Sequence, residues 1–179
     1  MNFGALENNL IDALLEQQLK LGYMEGAVGF YYPKDSVNTL LGTEIEDNDK
    51  LNLVLLDFIE YTKDRLGKVE VSHKKDRFCF LIPSQGAAYV HENINPGEFL
   101  PKFLELVSRH GVTLDEVYDF LKGVSDSAVV EVMQDEDFDA VAYFKDGKPD
   151  KYYYCLTDEA HHVIYHRYTK EDFERIMKL

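Results

Sequence analysis

"AVVEVMQDEDFDAVAYFKDGKPDKYYYCLTDEAHHVIYHRY", residues 128–168, decides the fold of this chain. It contains four short runs rich in β-branched and aromatic residues, which are AVVEVM, FDAVAYF, KYYYCL and HVIYHRY. Such residues favour strands because their side chains pack well on a pleated, half-buried surface. KDGKPD is strong turn chemistry between the second and third runs, and TDEA is a weaker turn between the third and fourth. The stretch therefore predicts a four-strand meander.

On both sides of this stretch, apolar residues recur at helical spacing. They predict helices over residues 4–21 and 49–66, two more between residues 95 and 121, and a terminal helix from Thr169. In the first helix of the middle pair, Arg109 and His110 fall in the last turn, where cations complement the helix dipole.

Two further strand-like runs, KVEVSH and RFCFLIP, lie between these helices. Both faces of RFCFLIP are apolar, which predicts a central strand. Residues 22–36, GYMEGAVGFYYPKDS, contain three glycines and a proline and are predicted as a loop. Residues 86–94, GAAYVHENI, are a candidate third strand. The predicted fold class is α+β, with helices packed on a mostly antiparallel sheet, a C-terminal four-strand meander and a terminal helix.

The length of 179 residues is that of one ordinary domain. We therefore predict a single globular domain over residues 1–179, within which residues 1–66 are a candidate helical subdomain. A chain of this length buries about 70% of its unfolded surface, so it needs no disulfide or metal to stabilise its core.

Acidic residues outnumber basic ones, 33 to 19, which gives a net charge of −14. This field repels phosphate backbones and anionic lipid, so we expect no binding to nucleic acid and none to membrane surfaces. A basic protein is the partner that the charge suits, and a small ligand is the other class of partner we consider. Solubility alone also accounts for an acidic surface.

The sequence also predicts the compartment. No apolar run approaches the ~20 residues of a transmembrane helix, and the chain does not open with the basic start and apolar core of a signal peptide. Cys79 and Cys155 each lie in an apolar, strand-like run, which predicts buried, reduced thiols. We therefore expect a cytoplasmic protein.

Histidines are concentrated in and just before the last strand-like run, at positions 161, 162 and 166. The residues between them are β-branched or aromatic and predict an extended backbone. In a strand, His162 and His166 share a face but lie roughly 13 Å apart at about 3.3 Å per residue. One zinc ion, with bonds of about 2 Å, does not reach both rings. In a helix the same two residues would be i, i+4 neighbours, the geometry of helical zinc sites.

A catalytic site in this region requires groups from another segment. Asp158 precedes the histidines, and His91 with Glu92 lies in the polar segment HENINPG. If these side chains converge with His161 and His162, they predict a metal-assisted hydrolase with perturbed pKa values. If they lie on separate surfaces, this hypothesis fails.

Tyrosines suggest a different kind of site. Tyr152 and Tyr154 share one strand face, and Tyr143 and Tyr165 come from neighbouring runs. An antiparallel sheet can gather them into one aromatic surface that suits a partner or an apolar ligand. If helices cover that face, the same residues form a core instead. The chain is predicted to be a monomer, or a homodimer if the aromatic surface is exposed.

Catalytic signatures with firm spacing are absent from the sequence, so we predict no cofactor and no bound metal. The first hypothesis is a non-catalytic binding or protein-interaction module, and the alternative is the metal-assisted hydrolase of the His161/His162 region. The candidate binding residues are Tyr143, Tyr152, Tyr154, Tyr165, His91, Glu92, His161, His162 and His166.

Overall fold

The computed structural model describes residues 1–133 and 137–178, which form seven helices and two antiparallel sheets. The predicted α+β class is confirmed. Within these ranges, none of the helices is both long and apolar enough to cross a lipid bilayer. Backbone contacts divide the chain into two compact units, Met1–Asn95 and Pro96–Leu179, here called unit 1 and unit 2. A single domain over residues 1–179, and a helical subdomain over 1–66, stay predictions.

Unit 1, all of whose residues are described, consists of four helices and a three-stranded sheet. The helices are α1 (Phe3–Leu21), α2 (Lys34–Leu41), α3 (Asn48–Leu66) and α4 (Ser84–Asn93), and the strands are β1 (Val28–Pro33), β2 (Glu70–Lys74) and β3 (Arg77–Ile82). The strand order is β1-β3-β2, and both pairings are antiparallel. β3, which corresponds to the run RFCFLIP, is therefore the central strand, as predicted.

The core of unit 1 lies on one face of this sheet. Phe78, Phe80 and Ile82 of β3 have no exposed surface, and strand alternation points all three side chains to the same side. They form one buried cluster with residues of α1 and α3, which are Leu6, Leu10, Leu14, Leu51, Leu55 and Phe58.

Gly86 determines how closely α4 approaches this core. A Cβ atom at Gly86 would lie 2.4 Å from the Leu66 carbonyl oxygen and 2.5 Å from Ile82 Cγ2. Both distances are far inside van der Waals contact, and the Leu66 oxygen belongs to the backbone. The close approach of α4 to the end of α3 therefore requires glycine at this position.

A buried carboxylate joins α1 to α3. Glu7 of α1 is 1% exposed. Its Oε1 accepts a hydrogen bond from Thr62 Oγ1 at 2.7 Å, and its Oε2 accepts one from Arg65 Nη1 at 2.7 Å. Because a buried charge is tolerated only when it is paired and hydrogen-bonded, these two partners are what allows Glu7 to lie in the interior.

The prediction that residues 22–36 form a loop is wrong, because they contain strand β1. Half-buried and exposed residues alternate along β1, which is the period of a strand with one face in the core. Pro33 is tolerated because β1 is an edge strand, where a missing N–H group interrupts no ladder. The prediction gave the glycines and the proline more weight than this alternation.

The prediction that residues 86–94 form a third strand is also wrong, because they lie in or next to helix α4. Its buried residues are Gly86, Ala87 and Val90, a spacing that places them on one helix face. The third strand of the sheet is β1.

Within its described residues, unit 2 has three helices and a four-stranded sheet. The helices are α5 (Phe99–Val107), α6 (Leu114–Val124) and α7 (Lys170–Ile176), and the strands are β4 (Ala128–Val132), β5 (Ala140–Phe144), β6 (Tyr153–Glu159) and β7 (His162–Tyr168). Neighbouring strands pair antiparallel in the order β4-β5-β6-β7. The predicted meander and terminal helix are confirmed. Arg109 and His110 lie beyond α5, which ends at Val107.

Aromatic residues form the core between α5 and the sheet of unit 2. Tyr154 of β6 has no exposed surface, and its ring centroid lies 4.8 Å from that of Phe103 in α5. The Tyr154 hydroxyl donates to Asp150 Oδ2 at 2.6 Å, and Arg167 Nη2 donates to the same oxygen at 2.8 Å. This shared carboxylate satisfies two polar groups that the aromatic core would otherwise leave unpaired.

We predict that Gly86→Ala lowers the free energy of unfolding by about 1–3 kcal/mol or more, because the added methyl group overpacks a contact with backbone. Gly123→Ala is the matched control. Its Cβ would meet nothing within 4 Å, and alanine is favoured over glycine in a helix by up to about 1 kcal/mol. Urea-induced unfolding of both variants measures the effect. Stabilisation by both substitutions would contradict the close approach at Gly86.

We also predict that Arg65→Met lowers the free energy of unfolding by about 3 kcal/mol, because it leaves the Glu7 carboxylate buried without its cation. Lys63→Met on the same helix is the control. Lys63 pairs with Glu60 at 2.8 Å, but both side chains are more than half exposed, and such pairs contribute about 0–1 kcal/mol. Equal losses of stability in the two variants would refute the role assigned to Glu7.

Candidate functional site

The predicted histidine site lies at the hairpin between β6 and β7. β7 confirms the predicted extended backbone around residue 164. The prediction of a turn over TDEA needs correction, because β6 runs to Glu159 and the turn residues are Ala160 (φ 37°) and His161 (φ 86°). Two-residue hairpins favour this left-handed backbone at both central positions.

A third histidine, from the loop between α5 and α6, joins His161 and His162. The ring centroid of His110 lies 5.6 Å from that of His161 and 5.1 Å from that of His162. The Gly111 N–H donates to the His161 carbonyl oxygen at 2.8 Å, which holds the loop against the hairpin. His166 lies further along β7, opposite Cys155, and its ring contacts Phe138.

Of the other groups proposed for a catalytic site, two belong to unit 1 and one, Asp158, belongs to unit 2, opposite Val163 in the same hairpin. His91 and Glu92 lie on α4 in unit 1, where the His91 ring stacks on Tyr23 at 4.4 Å. Asp158 lies in β6, where its N–H donates to Asp139 Oδ2 at 2.8 Å. Across residues 1–133 and 137–178, no group of three or more histidine, cysteine or carboxylate side chains is arranged to hold a metal ion.

The candidate tyrosines divide between the two faces of the second sheet. Tyr152 and Tyr154 are 5% and 0% exposed, and Tyr165 packs its ring 5.1 Å from Phe103 in the same core. Tyr143 lies on the opposite face, where its ring stacks on Tyr153 at 4.4 Å. The structure therefore gives core positions to most of this set and leaves Tyr143 separate from it.

Tyr143 has one polar partner on its own face of the sheet. Its hydroxyl donates to Glu131 Oε1 at 3.1 Å. Partial burial, this hydrogen bond and the charge of Glu131 together raise the pKa of Tyr143. The contact is local and occupies the only polar atom of the side chain.

A pocket that the sequence did not predict lies on the outer face of the unit 1 sheet. β3 points Phe78, Phe80 and Ile82 into the core. Arg77 and Cys79, which alternate with them along the strand, therefore point outward. Cross-strand pairing then places β1 and β2 residues beside them. The pocket has a volume of about 490 Å³ and is lined by Tyr31, Ser72, His73, Lys74, Arg77 and Cys79.

The pocket is locally basic in an acidic chain. Residues 68–77, KVEVSHKKDR, carry four lysine or arginine residues and two acidic residues, whereas the whole chain has a net charge of −14. Asp76 is neutralised by Lys34, whose Nζ lies 3.0 Å from its Oδ1. In the part of the chain that the structure describes, Lys74 and Arg77 take part in no ion pair.

Tyr31 and Cys79 form the middle of the pocket. They are opposite each other across β1 and β3, and Tyr31 is 69% exposed. Interaction with the neighbouring Cys79 thiol raises the pKa of Tyr31. Cys79 is half-buried, which corrects the prediction that both cysteines are buried; Cys155 is fully buried, and both are free thiols.

The arrangement provides two cations, a phenol, a serine hydroxyl and a thiol that face one open space. Lysine and arginine bind carboxylate and phosphate groups through charge-assisted hydrogen bonds, and pockets of about 300–1,000 Å³ are the size that small molecules occupy. The signal in the sequence was the basic run 68–77. Tyr31, by contrast, lies in the segment that was predicted as a loop.

Comparisons with known proteins give one family match. The family model described as "Domain of unknown function, E. rectale Gene description (DUF3877)" matches residues 3–177. No curated protein and no solved structure matches the chain.

We predict that N-ethylmaleimide, an uncharged thiol reagent, modifies Cys79 and not Cys155 in the native protein, because Cys155 has no exposed surface. In urea, both thiols should react. Mass spectrometry of proteolytic peptides identifies the labelled residue, and Cys79→Ser should abolish native labelling. Labelling of Cys155 before unfolding would contradict the burial described for β6.

Proposed function

We propose that this chain, which belongs to the DUF3877 family, is a non-catalytic binding module whose pocket takes a small anionic ligand. The observation that carries the proposal is the pocket on the outer face of the unit 1 sheet, where Lys74 and Arg77 meet Tyr31 and Ser72. The pocket combines an adequate volume with hydrogen-bond donors and an excess of positive charge. These are the properties of an anion site.

Electrostatics limit the affinity that we expect. Each cation in contact with an anion contributes about 1 kcal/mol in bulk water and about 4 kcal/mol near a protein surface, and the remaining negative charge of the chain opposes binding at long range. Two such contacts, less the cost of association, support dissociation constants for a simple inorganic anion of about 1 mM. Tighter binding requires a ligand that also uses the apolar parts of the pocket.

The chemistry of the pocket favours binding over catalysis. Nucleophilic catalysis needs a nucleophile within hydrogen-bond reach of a general base. Here the groups that face the open space are two basic side chains, two hydroxyl groups and a thiol whose neighbour is a phenol. The ring of His73 stacks on Phe78 at 5.2 Å, so it lies on the opposite face of the sheet from this space.

We predict that inorganic phosphate binds this pocket and that Arg77→Gln weakens binding at least tenfold, because it removes one of the two cations. Lys74→Gln should act in the same direction. Lys102→Gln is the matched control, since Lys102 is an exposed lysine of α5 paired with Glu98 at 2.8 Å. Isothermal titration calorimetry at low ionic strength measures binding, and bound phosphate should also slow N-ethylmaleimide labelling of Cys79.

Two results would contradict the proposal. One is the absence of phosphate binding at concentrations well above 1 mM, the affinity estimated from the charges. The other is equal binding by the wild-type protein, Arg77→Gln and Lys74→Gln. The Debye length is about 10 Å at 0.1 M salt. A phosphate affinity that decreases as salt is raised from about 50 to 200 mM would therefore support an electrostatic contribution to binding.

The metal-assisted hydrolase stays the second candidate function. It is favoured by the approach of His110 to the rings of His161 and His162, although no three ligating side chains among the described residues are arranged to hold a metal ion. Metal analysis of the purified protein before and after chelation tests it directly. A stoichiometric metal that is lost in the His110→Ala variant would support this candidate. Hydrolytic activity in protein that contains no metal would exclude it.

Partner class and location also stay proposals. A basic protein partner suits the acidic remainder of the chain, and such binding should weaken as salt is added. The free thiols of Cys79 and Cys155 support a cytoplasmic location, where thiols are kept reduced. The chain is proposed to be a monomer or a homodimer.

A further inference from the structure

The outer face of the unit 1 sheet extends beyond the pocket, and its side chains are arranged in regular rows. Its residues form three rows across the strands, each row joining one residue of β1, one of β3 and one of β2. The rows are Gly29–Leu81–Glu70, Tyr31–Cys79–Ser72 and Pro33–Arg77–Lys74. All of these residues except the half-buried Cys79 are exposed.

The two outer rows differ in chemistry. The row of Arg77 and Lys74 is cationic. In the opposite row, Leu81 is 36% exposed, and Gly29 places no side chain above the sheet. A Cβ at Gly29 would lie 3.6 Å from Cys79 Sγ and 3.8 Å from Leu81 Cδ1. The side chains of Cys79 and Leu81 therefore lie next to the exposed backbone of Gly29. The exposed ring of Tyr31 stands between the two ends.

Distance and charge define a ligand for this face. Arg77 and Leu81 are four residues apart in β3, which is roughly 13 Å at about 3.3 Å per residue. Glu70 flanks the apolar row, opposite Leu81. A second anionic group at that end would meet the Glu70 carboxylate and be repelled.

Resting on the proposed function, we propose that the ligand is an amphipathic anion with its charge at one end only. Its carboxylate or phosphate group binds between Lys74 and Arg77. Its apolar body lies along Tyr31 and the Gly29–Leu81 row. The occupant is a small molecule of about the length of a ten-carbon chain. Charge complementarity at one end and the acidic residue at the other give it a single orientation.

The test is calorimetric titration of the full chain with acetate, butyrate, octanoate and decanoate, all below the concentrations at which they aggregate. Complete burial of a methylene group tightens binding about fourfold. On this half-open face we expect about half of that free energy, which is about twofold per methylene. Octyl phosphate compared with octanoate distinguishes a phosphate head group from a carboxylate.

Variants separate the two ends of the face. Arg77→Gln should weaken every anion by a similar factor, whereas Leu81→Ser should leave acetate unchanged and reduce the gain with chain length. Decanedioate should bind at least tenfold more weakly than decanoate, and Glu70→Gln should restore most of that difference. Glu98→Gln, which removes an exposed carboxylate of unit 2, should restore none of it.

The outcomes distinguish this inference from the proposed function. If acetate and phosphate bind but longer chains bind no more tightly, the amphipathic ligand is refuted and the anion site stands. If no anion binds, the proposed function itself fails. Octanol binding as tightly as octanoate, or a chain-length gain that survives Leu81→Ser, would also overturn the inference.

Discussion

β3 must bury Phe78, Phe80 and Ile82 completely, and the architecture of unit 1 depends on that requirement. These side chains pack against the leucines of α1 and α3, and successive side chains of a regular strand point to opposite faces. A shift of one residue in register would move Arg77 and Cys79 into the core and three large apolar groups into water. The hydrophobic face thus fixes the register, and the register assembles the outward rows that form the pocket. The site is a by-product of the core.

The two units handle buried polarity in the same way. In unit 1, the Glu7 carboxylate accepts from Thr62 and Arg65; in unit 2, the Asp150 carboxylate accepts from Tyr154 and Arg167. Glu7 joins helices whose contacting residues are more than 50 positions apart, whereas the partners of Asp150 lie 4 and 17 residues away. The Arg167 guanidinium also lies 4.0 Å over the Tyr152 ring, so a cation–π contact adds to the ion pair. Tyr152 and Tyr154 are therefore core residues that also contact a charged group.

The fold was largely predictable because its strongest signals are local. Runs rich in β-branched, aromatic and apolar residues identified β2 to β7, and periodic apolar residues identified α1, α3, α5, α6 and α7. β1 and α4 were not predicted, because a glycine in the sequence does not show which structural role it has. Gly29 lies in a strand, and Gly86 lies where a helix makes a close contact. The candidate site was less predictable. His110 meets His161 only through tertiary structure, and the pocket needs Tyr31 from β1, the strand that was read as a loop.

Glu7 has a consequence for how the chain is made. Its partners Thr62 and Arg65 lie 55 and 58 residues later in the sequence. Ribosomes add about 5–20 residues per second, so α1 waits several seconds for the groups that neutralise its carboxylate. Until then, docking of this helix would bury an uncompensated charge. During translation, the packing of α1 into the core of unit 1 is therefore delayed until α3 has been synthesised.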